Sequence, residues 1–231
     1  MKIVDSSVLE KWYAKEYESC DMNGLFGEPR EEVAGFIRGL PGGSGAAIEL
    51  GCGDGRNLSL LAQKGYKITG VDMVDSTVQS RLTNAWLQNL RFMKGNILDL
   101  NLEHAAYDVL LCTEVLHFFE KKDLDALMPK IISTLKPGGY LFLDLLSDLT
   151  RFFQASGEPF VWDKEASMSI FESESFFEKW LGDFEIYDIR HFFDKQSWPL
   201  SDAEHLPVDP YTWQGTYVSV CAQKRSCKEM V

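Results

Sequence analysis

No apolar run in the 231 residues approaches the ~18–20 that a membrane-spanning helix requires, so no membrane span is expected. Cysteines are few and scattered: Cys20, Cys52, Cys112, Cys221 and Cys227, odd in number and never spaced C-x-x-C. That spacing argues against a disulfide frame and against a thiolate zinc site, and no metal site is expected. The stretch Met1 to Glu10 carries Lys2, Asp5 and Glu10 in place of the apolar core of a secretory signal. Reduced cysteines and no signal point to the cytoplasm. Positive charge is also scarce, with 23 Lys+Arg against 35 Asp+Glu and a net charge of −12. Phosphate backbones are bound largely through Lys and Arg, so nucleic acid is a poor partner for this chain. A small-molecule substrate is the expected partner.

What is present is an ordinary globular composition, without repeats or low-complexity segments. Helical spacing covers Asp5 to Tyr17 and Glu31 to Leu40, and Asp21 to Pro29 between them reads as a loop. After Pro41-Gly42-Gly43-Ser44-Gly45 the chain alternates. Strands are expected at Ala46–Leu50, Lys67–Val71, Leu90–Lys94, Tyr107–Cys112 and Tyr140–Leu145, with helices at Asp54–Lys64, Asp75–Leu87 and Asp123–Leu135. Short apolar strands alternating with helices imply βαβ units and a parallel sheet covered on both faces. Phe184–Phe193 and Thr216–Gln223 read as two late strands that pair antiparallel. The pattern breaks between Ser147 and Phe171, which reads as an insertion.

The strongest local signal is Glu49-Leu50-Gly51-Cys52-Gly53-Asp54-Gly55-Arg56-Asn57, placed between an expected strand and an expected helix. Glycines there allow positive φ and let backbone approach a ligand. A dinucleotide fingerprint would need a third glycine at position 56, where Arg stands, so a nicotinamide cofactor is disfavoured. Asp72 ends the second strand, 17 residues after Gly55, near the ~20-residue spacing at which a carboxylate accepts hydrogen bonds from ribose hydroxyls.

The run Glu49 to Asp72 resembles the first motif and acidic loop of class I S-adenosylmethionine (SAM) methyltransferases. Gly95-Asn96-Ile97-Leu98-Asp99, Tyr107 to Cys112, and Leu135-Lys136-Pro137-Gly138-Gly139 resemble that superfamily's later landmarks, in order. Gly53-Asp54-Gly55-Arg56-Asn57 followed by Leu61-Ala62-Gln63-Lys64-Gly65-Tyr66 is similar to the tellurite-resistance and thiopurine methyltransferase group, as are Lys15-Glu16-Tyr17 and Ile189-Arg190-His191.

The resemblance implies an α/β, Rossmann-like, doubly wound fold: a mostly parallel seven-stranded sheet with the last strand antiparallel. It implies a helical cap over residues 1–45 and a SAM-binding domain over 46–231, with the insertion at about 147–170. SAM would be the cofactor and S-adenosylhomocysteine (SAH) its product. Gly51, Cys52 and Gly53 would approach the methionine part, with Glu49 orienting the loop and Tyr17 from the N-terminal element beside it. Asp72 would take the ribose, Met73 would pack on adenine, and Asn96 and Ile97 would bond the adenine ring. The Cys112 carbonyl would meet the amino group. His117 and His191 are the candidate catalytic side chains, with Arg190 as an alternative anion binder that a strand would turn to the opposite face from His191.

The expected reaction is methyl transfer to a small soft nucleophile such as a thiol or a metalloid oxyanion. The Asn/Asp-Pro-Pro-Tyr signature of nucleic-acid amino methylation is replaced here by Cys112-Thr113-Glu114-Val115. A protein or RNA acceptor, or a silent SAM-binding protein, stays open at this level.

Overall fold

The computed structural model describes residues 1–19, 26–74, 88–198 and 208–226. The expected helix Asp75–Leu87 lies outside the described residues, as do Cys20 and Cys227.

The elements in chain order are β1 (Lys2–Val4), α1 (Ser7–Ser19), α2 (Glu31–Gly39), β2 (Ala46–Leu50), α3 (Arg56–Gln63), β3 (Lys67–Asp72), β4 (Leu90–Lys94) and β5 (Tyr107–Cys112). A 3₁₀ turn (Leu116–Phe118) then leads to α4 (Lys121–Thr134), β6 (Leu135–Phe153), β7 (Pro159–Trp162), α5 (Ile170–Trp180), β8 (Phe184–Trp198) and β9 (Tyr211–Lys224). Strands β4, β3, β2, β5 and β6 lie side by side and parallel. Strand β9 joins β6 antiparallel, and β8 joins β9 antiparallel. These seven strands are the expected sheet with its antiparallel last strand. Two short strands extend it: β7 pairs antiparallel with the end of β6, and β1 pairs parallel with β7.

Both faces of the central strands are buried, which is why Val109, Leu110 and Leu111 form an unbroken apolar run. Alternation sends Ile48 and Leu110 to the α4 face with Leu124, Leu127 and Ile131. It sends Ala47, Val109 and Leu111 to the α2–α3 face with Ile37, Leu58 and Leu61. A third cluster, rich in rings, joins Leu9 and Trp12 of α1 to Leu146, Phe160, Trp162, Trp198 and Tyr211.

Three departures from the sequence expectation matter for the site. Strand β6 is far longer than Tyr140–Leu145, and Lys136–Gly139 forms a bulge inside it, because Tyr107 pairs with Leu135 and Val109 with Tyr140. Residues 147–170 hold the end of β6 and all of β7, so this stretch lengthens the sheet instead of hanging off it. Helix α5, unforeseen, begins at a capping box in which Ser169 and Glu172 satisfy each other's backbone N–H groups.

Candidate active site

The carboxyl ends of β2, β3, β4 and β5 open into one cavity of about 1150 Å³. Single-ligand pockets run to roughly 300–1,000 Å³, so this space suits two ligands together. Its wall divides into two ends.

The first end is the loop after β2. Gly51, Gly53 and Gly55 all have left-handed φ, at 74°, 53° and 83°. At Gly51 a Cβ would lie 2.1 Å from the Val115 side chain, so no larger residue fits. At Gly53 a Cβ would meet the Tyr17 hydroxyl at 3.1 Å and Phe26 at 3.2 Å, so the N-terminal segment sits directly on the loop. The Gly51 and Cys52 N–H groups donate to the Val71 carbonyl at 2.7 and 2.9 Å, stitching the loop to the end of β3. Asp72 accepts from the Gly53 N–H at 2.8 Å and the Val74 N–H at 3.1 Å, one on each oxygen. The Met73 N–H also acts on this carboxylate, which with about four acceptor sites keeps capacity for a further donor. Burial lifts the Asp72 carboxyl above the usual range against the pull of these N–H groups.

Glu49 is buried at the base of this end. Its Oε1 accepts from the Asn57 amide at 2.7 Å, and its Oε2 has no partner. Burial, eased by the Asn57 hydrogen bond, pushes its carboxyl up to about 8. The Asn57 Oδ1 is also unpartnered, while its amide reaches the Thr113 hydroxyl at 3.3 Å. Four residues, among those described, hold a buried side-chain N or O atom with neither a hydrogen bond nor an ion pair: Trp12, Glu49, Asn57 and His117. All but Trp12 line this cavity. Buried polar atoms are normally satisfied, so a wall that concentrates exceptions is shaped for a polar ligand.

Arg30, Arg56 and Glu114 of the wall, with the fully buried Asp144 behind them, form a charged seam. Arg30, just before α2, pairs with Asp144 of β6 and lies 3.2 Å from Glu114. Arg56, at the start of α3, pairs with Glu114. The Glu114 N–H donates to Asp144 Oδ1 at 2.7 Å, and Glu114 itself has φ 59°, rare for a residue with a Cβ. Burial lifts Asp144 to about 6 even with the Arg30 guanidinium against it. None of these four had been singled out as a site residue. Asp144 had a signal, since it is a carboxylate inside the apolar run Leu141–Leu146.

The second end is aromatic. Tyr13 of α1, Trp162 of β7, Phe192 and Trp198 of β8, and Trp213 and Tyr217 of β9 all face the cavity. His117 enters from the 3₁₀ turn, its ring 4.2 Å from that of Phe118 and its Nδ1 unpartnered. Burial first, then the Arg151 and Arg30 guanidiniums, pushes His117 down to about 3, so it is neutral at neutral pH. Arg151 lines this end and pairs with Glu165, both buried.

Of the residues expected from the sequence, Tyr17, Glu49, Gly51, Cys52, Gly53, Asp72, Met73, Asn96, Ile97 and His117 line the cavity together. The Asn96 side-chain oxygen accepts from the Leu98 N–H at 2.9 Å, so part of its acceptor capacity closes a local turn. Two expected residues do not join the wall. Cys112 is fully buried in the core on the α4 side, and its neighbour Thr113 reaches the cavity instead. His191 lies outside the lining: its Nε2 is 2.9 Å from Glu174 of α5. Alternation along β8 gives the cavity Phe192, Asp194 and Gln196 and turns His191 to the opposite face. Arg190 lines a separate groove beside α2 with Glu32 and Cys221. No group of three metal-ligating side chains occurs among the described residues. No helix among them is long and apolar enough to cross a membrane.

Residues 48–143 match the family described as a methyltransferase domain. Phosphoethanolamine N-methyltransferase 1 of Arabidopsis thaliana is 28% identical over 118 residues, which is 50% of this chain and 24% of that protein. The match therefore spans about a quarter of that relative's length. Among solved structures, Burkholderia thailandensis 1,6-didemethyltoxoflavin-N1-methyltransferase, with bound 1,6-didemethyltoxoflavin and SAH, superposes with a TM-score of 0.63 at 16% identity, over 96% of this chain and 89% of that one. TehB from Haemophilus influenzae gives 0.61 at 15% identity, over 94% of this chain and 67% of that one.

Proposed function

We propose that this chain transfers the methyl group of SAM to a small-molecule acceptor, a reading supported by the match of residues 48–143 to a methyltransferase domain. The observation that carries the proposal is the unpartnered Glu49 Oε2 beside the unpartnered Asn57 Oδ1, at the base of a loop of left-handed glycines. Two buried acceptors without donors suit an ammonium group, which brings three. The donor set fits SAM along the whole cavity end. Glu49 and Asn57 would take the amino group. Gly51 and Gly53 would leave room for the methionine part. The remaining acceptor capacity of Asp72 would serve the ribose, and Met73 and Ile97 would flank the base.

When bound, SAM supplies an electrophilic methyl group on a sulfonium. The chain's own part is to hold two reactants in line and exclude water. Orientation of this kind is worth up to ~7–11 kcal/mol of barrier. The net charge of −12 disfavours a nucleic-acid acceptor, and a cavity lined by both α1 and β8 favours a small one.

Isothermal titration calorimetry with SAH, and NAD(H) as the control, tests the reading. Micromolar SAH binding, about −8 kcal/mol, with no NAD(H) binding is the expected result. Absence of SAH binding would overturn it.

A further inference from the structure

Resting on the methyl-transfer reading, we propose that the acceptor is a flat, uncharged aromatic ring system that lies against the tryptophan wall and presents an N–H or O–H to His117. The wall comes from four separate elements, α1, β7, β8 and β9, through Tyr13, Trp162, Phe192, Trp198, Trp213 and Tyr217. Every one of these six lies outside the matched residues 48–143. The recognisable domain therefore leaves this end of the cavity to other parts of the chain.

The rings are held by one another. Trp12 meets Trp198 edge-on at 4.7 Å between centroids, Trp162 meets Tyr211 at 6.0 Å and Trp213 meets Tyr217 at 6.2 Å. Rings fixed edge to edge keep their places when a ligand arrives, and a preorganised wall binds without an ordering cost. Large, rigid π-surfaces favour a flat π-ligand through offset or edge-on contact.

Charge narrows the class further. The guanidiniums that reach the cavity are already neutralised: Arg30 by Asp144 and Glu114, Arg56 by Glu114 and Arg151 by Glu165. The two lysines of the lining, Lys122 and Lys164, are exposed at its mouth, so a metalloid oxyanion or a phosphate ester seated deeper, beside the guanidiniums, would have to break one of these pairs. His117 stays neutral and offers a ring nitrogen without a protein partner. A neutral imidazole accepts a hydrogen bond from an N–H or O–H, and in doing so fixes where the heteroatom's lone pair points. In the transfer, that lone pair forms the new bond to the methyl carbon. The carbon–sulfur bond breaks with its electrons left on sulfur, and the heteroatom's proton leaves to solvent.

The test uses the full chain saturated with SAH. Lumazine, 4-hydroxyquinoline and naphthalene-2,3-diol are titrated by calorimetry, beside tellurite, 2-mercaptoethanol and ethanolamine. The same six compounds are then incubated with SAM and followed by mass spectrometry for a gain of one methyl group. We expect saturable binding and methylation within the flat set alone. Trp213→Leu should weaken flat-probe binding at least tenfold while SAH affinity stays within twofold. Trp162→Leu serves the same purpose if the first variant does not fold. Should SAH bind while no flat probe binds or is methylated, the proposal is overturned. Methylation of tellurite, the thiol or the amine in place of the flat probes overturns it equally. Failure of SAH to bind defeats the methyl-transfer reading and this proposal with it.

Discussion

The two ends of the cavity are built in opposite ways. The loop end comes from consecutive strand–turn–helix units and is shaped by backbone, with the Gly51 and Cys52 N–H groups on the Val71 carbonyl and the Gly53 N–H on Asp72, around a few polar side chains, Glu49, Asn57 and Asp72. The ring end is assembled from residues as far apart in sequence as Tyr13 and Tyr217, and its key atoms are side chains. Backbone geometry tolerates few substitutions, whereas a wall of side chains can be repainted residue by residue. One end is therefore suited to a fixed ligand and the other to a particular one.

If the two ends are separable, damage to one should spare the other. The largest effect is expected at the ring end. Glu165→Gln strands the buried Arg151 guanidinium and should cost about 3–5 kcal/mol of stability, read by urea unfolding. SAH affinity of the folded fraction should hold, and a matching loss of affinity would break the distinction. At the loop end, Asp72→Ala should cost about 1.5–3 kcal/mol in SAH binding, by calorimetry, because hydrogen bonds to a charged carboxylate are lost. Unfolding should move less than for Glu165→Gln.

Glu49 sharpens the contrast through pH. Burial holds its carboxyl protonated up to about pH 8, and an ammonium ligand binds the ionised form. SAH affinity should therefore rise with pH toward 8, by up to about tenfold per unit. Glu49→Gln should flatten that slope, and a wild-type affinity independent of pH would remove Glu49 from the amino-group role. The smallest effect is expected on the outer face of β8. His191→Ala breaks a solvent-exposed pair with Glu174 and should cost less than about 1 kcal/mol, with SAH binding and turnover unchanged. A drop in turnover would return His191 to the site.

The same contrast explains what could be read from the sequence. Glycine spacing, the strand-end carboxylate and the apolar strands are local signals, so Gly51, Gly53, Asp72 and the parallel core were legible. Cys112 was expected to act through its carbonyl alone, and strand alternation buries its side chain while Thr113, one residue on, reaches the cavity. His191 failed because the face it takes depends on the register of β8 on β9, where it pairs with Val218. Arg30 and Asp144 meet across 114 residues of chain, and no window of sequence holds both. Arg151 and Glu165 were hidden because their segment broke the α/β rhythm, and it did so by prolonging β6 and adding β7.

That prolonged strand sets how far a substitution is felt. β6 starts beside β5 in the cofactor-facing sheet and ends against β7 and β9 in the ring wall, with a change of register between Ser147 and Thr150 and a left-handed Asp148 within it. Substitution beyond that kink, at Thr150–Trp162, reaches the ring wall without entering the main core. Strand β9, in contrast, returns to pair with Tyr140–Ser147, and its Val218, Val220 and Ala222 pack behind the parallel strands, so a change there is felt throughout the sheet.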